Sequence, residues 1–97
     1  MRARAHCARG VLLENRDRYA AVAEYKKARE LAPQDAIPMF LYARGALLLD
    51  PSQAQVDRSV ALLELLDNST GRLPPVLAQE RVDLLTALQG RPGNLLS

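Results

Sequence analysis

The chain has 97 residues, 48% of them apolar and only 4% aromatic, with a net charge of +2 and a single cysteine. That length fits one domain, because domains cluster at ~100–150 residues, and it excludes a large enzyme with a separate substrate domain. A charged fraction of 25% beside this apolar content is that of an ordinary folded domain and excludes intrinsic disorder.

Alanine and leucine make up about a third of the chain, both strong helix formers, while isoleucine occurs once, at Ile37. A sheet core wants β-branched and aromatic residues, which are scarce here, so the expected class is all-α. The lone Cys7 excludes an intrachain disulfide and a multi-cysteine zinc site. No apolar run reaches the ~20 residues of a membrane helix, and no apolar segment follows the basic start as a signal peptide requires. A cytoplasmic protein is the expectation. Residues 1–32 hold eight basic and four acidic residues, a net +4. Residues 33–97 hold five basic and seven acidic, a net −2, so a basic end sits on a slightly acidic body.

Turn signals at Asn15-Arg-Asp17, Pro33-Gln-Asp35, Asp50-Pro-Ser52 and 68–75 divide the chain. The intervening segments have helical periodicity and predict five helices, at about 3–14, 18–31, 36–49, 53–66 and 75–89. The first carries Arg2, His6 and Arg9 on one side. Asp17 is placed to N-cap the second and Asp35 the third. Pro38 falls in the first turn of the third, where a missing N–H costs little. Ser52 followed by Gln55 forms a capping-box pattern for the fourth, whose apolar positions are Val56, Val60, Leu63 and Leu66. Asn68 and Gly71 suit its C-terminal unwinding, and Pro74-Pro75 open the fifth. In that last helix Leu77, Leu84, Leu85 and Leu88 form one stripe, and Gln79, Glu80, Asp83 and Thr86 lie opposite. Residues 91–97 read as a flexible tail.

Short connections between such helices predict antiparallel hairpins. The hairpins also repeat. Ala8-Arg-Gly-Val-Leu-Leu13 and Ala43-Arg-Gly-Ala-Leu-Leu48 agree at five of six positions, 35 residues apart, at the same place in two predicted helices. Small residues at Ala8, Gly10, Ala21, Ala28, Ala43 and Gly45 allow close helix approach. Leu12, Leu13, Leu47 and Leu48 are expected to fill the layer between hairpins.

With that period the chain resembles the tetratricopeptide repeat family, whose unit is a helix–turn–helix of ~34 residues. Gly10 matches the family's helix A glycine and Tyr19 the aromatic entering helix B. Tyr25, Ala28 and Pro33 match the later aromatic, alanine and proline. The stretch from Tyr19 to Pro33 is one residue shorter than the family spacing, and the fourth helix lacks the family's aromatic and small residues. The resemblance implies a short right-handed α-solenoid within 1–90: repeat one at about 3–34, a degenerate repeat two at about 36–68, and a capping helix at about 74–89. A polar outer face on that last helix suits a cap.

The resemblance also implies a non-catalytic interaction module, a scaffold, adaptor or chaperone-like protein. It would hold a peptide or amphipathic helix of a partner protein in a groove lined by helix A residues. By position these are Arg4, Cys7, Val11 and Glu14 from the first helix, Met39, Tyr42, Ala46 and Leu49 from the third, and Gln79 and Asp83 from the fifth. Met39 and Tyr42 are the candidate anchors, the competing reading being that both pack in the core. Arg4 is the one basic groove residue, so a carboxylate clamp is poorly supported and a mostly apolar groove suits a hydrophobic segment.

His6 and Cys7 point ~100° apart on a helix and form no nucleophile–base pair. Glu80 and Asp83 read as a solvated face. Lys26, Lys27 and Arg29 are interrupted by Glu24 and Glu30, which favours a salt-bridged surface over phosphate contacts. No phosphate loop, metal-ligand spacing or catalytic motif appears, so no cofactor, metal or catalytic residue is expected. The alternatives to the interaction module are a self-assembling homo-oligomer and, more weakly, a nucleic-acid-associated helical protein using the basic N-terminal third.

Overall fold

The computed structural model describes residues 2–66 and 73–89, and these form five helices joined by turns: α1 (Ala3–Leu13), α2 (Arg18–Leu31), α3 (Ala36–Leu49), α4 (Gln53–Leu65) and α5 (Pro75–Gln89). No strand occurs among the described residues. The expected bounds hold, except that α1 and α4 each end one residue early. At the end of α1 the Glu14 N–H turns back to Val11 O rather than continuing the i−4 ladder, the usual tightening of a last turn. The expected unwinding at Asn68 and Gly71 and the tail at 91–97 lie outside the described residues.

The helix starts follow their capping chemistry. Asp17 accepts from Ala20 N at 3.1 Å, Asp35 from Ile37 N at 3.1 Å, and Ser52 Oγ from Gln55 N at 3.3 Å. Each satisfies a donor that the first turn leaves without a helical partner.

Each helix packs on the next in sequence, and α1 also meets α3. The described chain is elongated, 46 × 30 × 21 Å. Its core centres on Tyr25 and Phe40, with Ala21, Ala28, Ala36 and Ala43 providing the close approach of α2 and α3. Leu63 extends the core into α4, and Val56 and Leu66 are also buried there. From α5, Leu77, Leu84, Leu85 and Leu88 pack against the core while remaining half-buried.

The 35-residue identity has a specific structural outcome. Gly10 in α1 and Gly45 in α3 both face the buried ring of Tyr25 in α2. A Cβ on Gly10 would lie 2.8 Å from Tyr25 Cδ1 and 2.9 Å from Cζ. One on Gly45 would lie 2.9 Å from Val22 Cγ2 and 3.4 Å from Tyr25 Cδ2. The two glycines thus leave room for an aromatic ring between two helix backbones.

The same geometry corrects the expected layer of leucines. Leu13 and Leu47 are half-buried, but Leu12 is 77% exposed and Leu48 58% exposed. With Gly10 turned inward, Leu12 sits roughly 200° around the helix and faces outward. Leu48 lies near the C-terminal end of α3, on the rim of a cleft. Tyr19, the aromatic entering the second helix, is 75% exposed and takes no part in the core.

Candidate functional site

Three clusters of charged side chains link helices among the described residues. The first joins Glu14 at the end of α1 to side chains of α2, α3 and α5. Arg44 of α3 donates to Glu14 Oε1 at 3.0 Å and to Glu80 Oε2 of α5 at 2.5 Å. Glu14 also accepts from the Tyr25 hydroxyl. Burial works against the charge of the half-buried guanidinium, and the two carboxylates outweigh it, so Arg44 is held protonated beyond its ordinary range. Burial, followed by the hydrogen bond to Glu14, pushes the Tyr25 hydroxyl well above the usual tyrosine value. Arg44 also lies over the Phe40 ring, 5.5 Å from its centroid. The cluster ties the end of α1 to α2, α3 and α5 beside the core.

The second cluster lies between α1 and α2. His6 Nδ1 meets Glu24 Oε2 at 2.6 Å, and Arg9 Nε approaches the other Glu24 oxygen at 3.6 Å. Glu24 is covered by these side chains near the surface, and its carboxyl is held below the usual range, chiefly by the hydrogen bond to His6. The third ties α1 to the start of α3: Arg4 donates to both oxygens of Asp35, at 2.9 and 3.3 Å, while Asp35 caps α3.

The expected groove residues fall into distinct environments. Arg4 is engaged by Asp35. Cys7, Met39 and Ala46 are buried at 5–9% exposure, so they offer a partner almost no surface, and Met39 is a core residue rather than an anchor. Burial raises the Cys7 thiol above its ordinary value. Tyr42 is half-buried in a cleft between α2 and α4, under the Arg29 guanidinium, and so does not share a surface with the α1 residues. Val11 is half-exposed on α1. Gln79 and Asp83 are exposed on α5 and hydrogen-bonded to one another at 2.9 Å.

Glu14 and Leu49 do come together. They line an open cleft of about 610 Å³ at the α1–α2 turn, together with Arg16, Arg18, Tyr19 and Leu48. A narrower cleft of about 90 Å³ continues from it down to Tyr25 and Gly45. Tyr19 and Leu48 are large apolar side chains standing in solvent at its edge, and charged groups of both signs surround them.

Sequence reasoning missed Arg44 as a junction, although a signal was present: it is the one charged residue in the otherwise apolar run from Ala36 to Leu49. It also expected Leu48 in a buried layer and matched Tyr19 to the family's aromatic entering helix B, and no local pattern marks either residue as exposed.

Among the described residues no group of three or more His, Cys, Asp or Glu side chains is placed to hold a metal ion. No described helix is long and apolar enough to cross a membrane. The chain matches no family model, no curated protein and no solved structure.

Proposed function

We propose that the protein is a non-catalytic interaction module of tetratricopeptide-like design, which holds an apolar peptide or amphipathic helix of a partner protein. One observation carries this reading: Tyr19 and Leu48 are exposed together on one cleft that continues inward to the Gly45–Tyr25 contact. Two large apolar side chains around a concavity, rimmed by charge, are the features of a peptide anchor site. The cleft replaces the Met39–Tyr42 pair as the place where a partner docks. The solenoid reading is supported by the sequential packing, by the α1–α3 contact, and by two glycines 35 residues apart closing on one ring.

A photo-crosslinking residue at Tyr19, introduced in the native host, tests the reading. A discrete adduct is expected there, absent when the same residue replaces exposed Lys27, and lost with Leu48→Asp. Equal crosslinking from both positions would sink it. Self-association is the second reading, favoured by the exposure of Leu65, Val76 and Val82 near the α4–α5 end. Light scattering over a range of concentrations decides it, since a constant monomer mass removes it.

A further inference from the structure

The clefts of the described surface differ in the sign of their charged lining. The cleft at the α1–α2 turn mixes Glu14 and Asp17 with Arg16 and Arg18. The one between α4 and α5 carries Asp57 and Glu64 and no base. A third, of about 380 Å³, lies between α2 and α4, and its charged lining is Arg29 and Arg58 without an acid. The Tyr42 ring of α3 contributes to it from below, with Gln55, Ala61 and Leu62 on the α4 side.

Elsewhere in the fold, arginines that bridge helices meet carboxylates: Arg4 meets Asp35, Arg9 meets Glu24, and Arg44 meets Glu14 and Glu80. Among the described residues, neither Arg29 nor Arg58 has a carboxylate within 4 Å. Arg29 is half-buried and stacked 5.3 Å from the Tyr42 centroid. Stacking occupies the face of a guanidinium and leaves its N–H edge available for a planar acceptor. Arg58 stands on the same face of α4 as Gln55 and Leu62, three and four residues away, so its charge is directed at the same cleft.

We infer that this cleft binds an acidic peptide segment, with an aspartate or glutamate carboxylate between Arg29 and Arg58 and a neighbouring apolar side chain on Tyr42, Ala61 and Leu62. Charge complementarity selects the acid, because two guanidiniums with no carboxylate within 4 Å among the described residues gain most from a bidentate carboxylate. The apolar wall selects a peptide over a nucleic acid, whose affinity needs a longer series of phosphate contacts than two arginines supply. The site shares no residue with the Tyr19–Leu48 cleft and does not depend on it.

The test is a titration of the isotope-labelled full chain with a synthetic peptide alternating glutamate and leucine, followed by amide chemical shifts. Shifts are expected in α2 around Arg29 and in α4 around Arg58. Arg29→Gln and Arg58→Gln should each weaken binding about fivefold to tenfold, the loss of one charge-assisted contact at a partly exposed site, while Arg16→Gln leaves it unchanged. Should Arg29→Gln disturb Tyr42 and unfold the chain, the exposed Arg58→Gln decides alone. Equal binding of the glutamine twin of the peptide, shifts confined to other helices, stronger competition by a thymidine oligonucleotide, or no binding at millimolar peptide would each overturn the inference.

Discussion

Helices α3 and α5 are almost equal in length, 14 and 15 residues, yet α3 buries eight of its residues and α5 buries none. Both are rich in leucine and alanine, but α3 carries one charged residue, Arg44, whereas α5 carries Gln79, Glu80, Arg81, Asp83, Thr86 and Gln89. Position in the fold matches that difference. Helix α3 packs against α2 and α4 and also meets α1, and its surface is apolar nearly all round. Helix α5 rests on α4, and one stripe of leucines is all it offers. A central helix takes its stability from neighbours on several sides, whereas a terminal one hangs on a single interface and a few polar ties. Here those ties include the Arg44–Glu80 bridge and the bond from Arg81 to Leu63 O.

The largest expected effect tests that contrast directly. Phe40→Ala should destabilise the fold by about 3–5 kcal/mol in urea denaturation, because its side chain is fully enclosed. Leu84→Ala in α5 should cost about 1 kcal/mol, since its half-buried side chain loses less area. Similar losses in the two variants would break the comparison.

The glycine clasp provides a smaller effect and a sharper one. Gly10→Ala drives a methyl against one edge of the Tyr25 ring, whose other edge meets Gly45. Overpacking should outweigh the helix-propensity gain and leave a net loss of about 1–2 kcal/mol. At Gly45 the nearest atom is Val22 Cγ2 at 2.9 Å and the Tyr25 ring stays 3.4 Å away, a smaller overlap that the helix-propensity gain offsets more fully, so Gly45→Ala should cost less than Gly10→Ala. Thermal melts of the two variants separate these outcomes, and equal losses would contradict the asymmetry.

Arg44→Met should act on the two regions differently. It removes the bridge to Glu80 while keeping an apolar stem, so amides of α5 should lose hydrogen-exchange protection before those of α2. Protection lost uniformly along the chain would mean that α5 is no separate unit.

The smallest effects are in pH. Tyr25 keeps its proton to a higher pH in the fold than in the unfolded chain, so its contribution is complete below the ordinary tyrosine value of about 10 and is lost as pH climbs through the folded value. Tyr25→Phe should flatten that alkaline limb of a stability-versus-pH curve. Glu24 runs the other way. Its folded value lies below the ordinary 4.5, so its contribution is present above that pH and fades as acid takes it through the folded value. Glu24→Gln should flatten the acid limb.

Much of the architecture was legible because its causes are local. Asp17, Asp35 and Ser52 mark helix starts by chemistry that acts within three residues. The leucine stripe of α5 and the apolar positions of α4 follow from a 3.6-residue period. The candidate site was less legible. Met39 and Tyr42 stand three residues apart on one helix, yet one is enclosed in the core and the other lies under Arg29 from a different helix. Nothing in the spacing distinguishes those outcomes.

What the sequence by itself determined is the set of five helices, their caps, and the two glycines 35 residues apart. Tertiary structure alone decided that both glycines close on one tyrosine, that Arg44 joins Glu14 to Glu80, and that Leu12, Tyr19 and Leu48 stay in solvent. The physical reason is the range of the forces involved. Backbone hydrogen bonds and caps are completed within a turn or two of the chain. Burial and ion pairing depend on how helices cross, and that is set by contacts between residues as far apart as Glu14, Arg44 and Glu80.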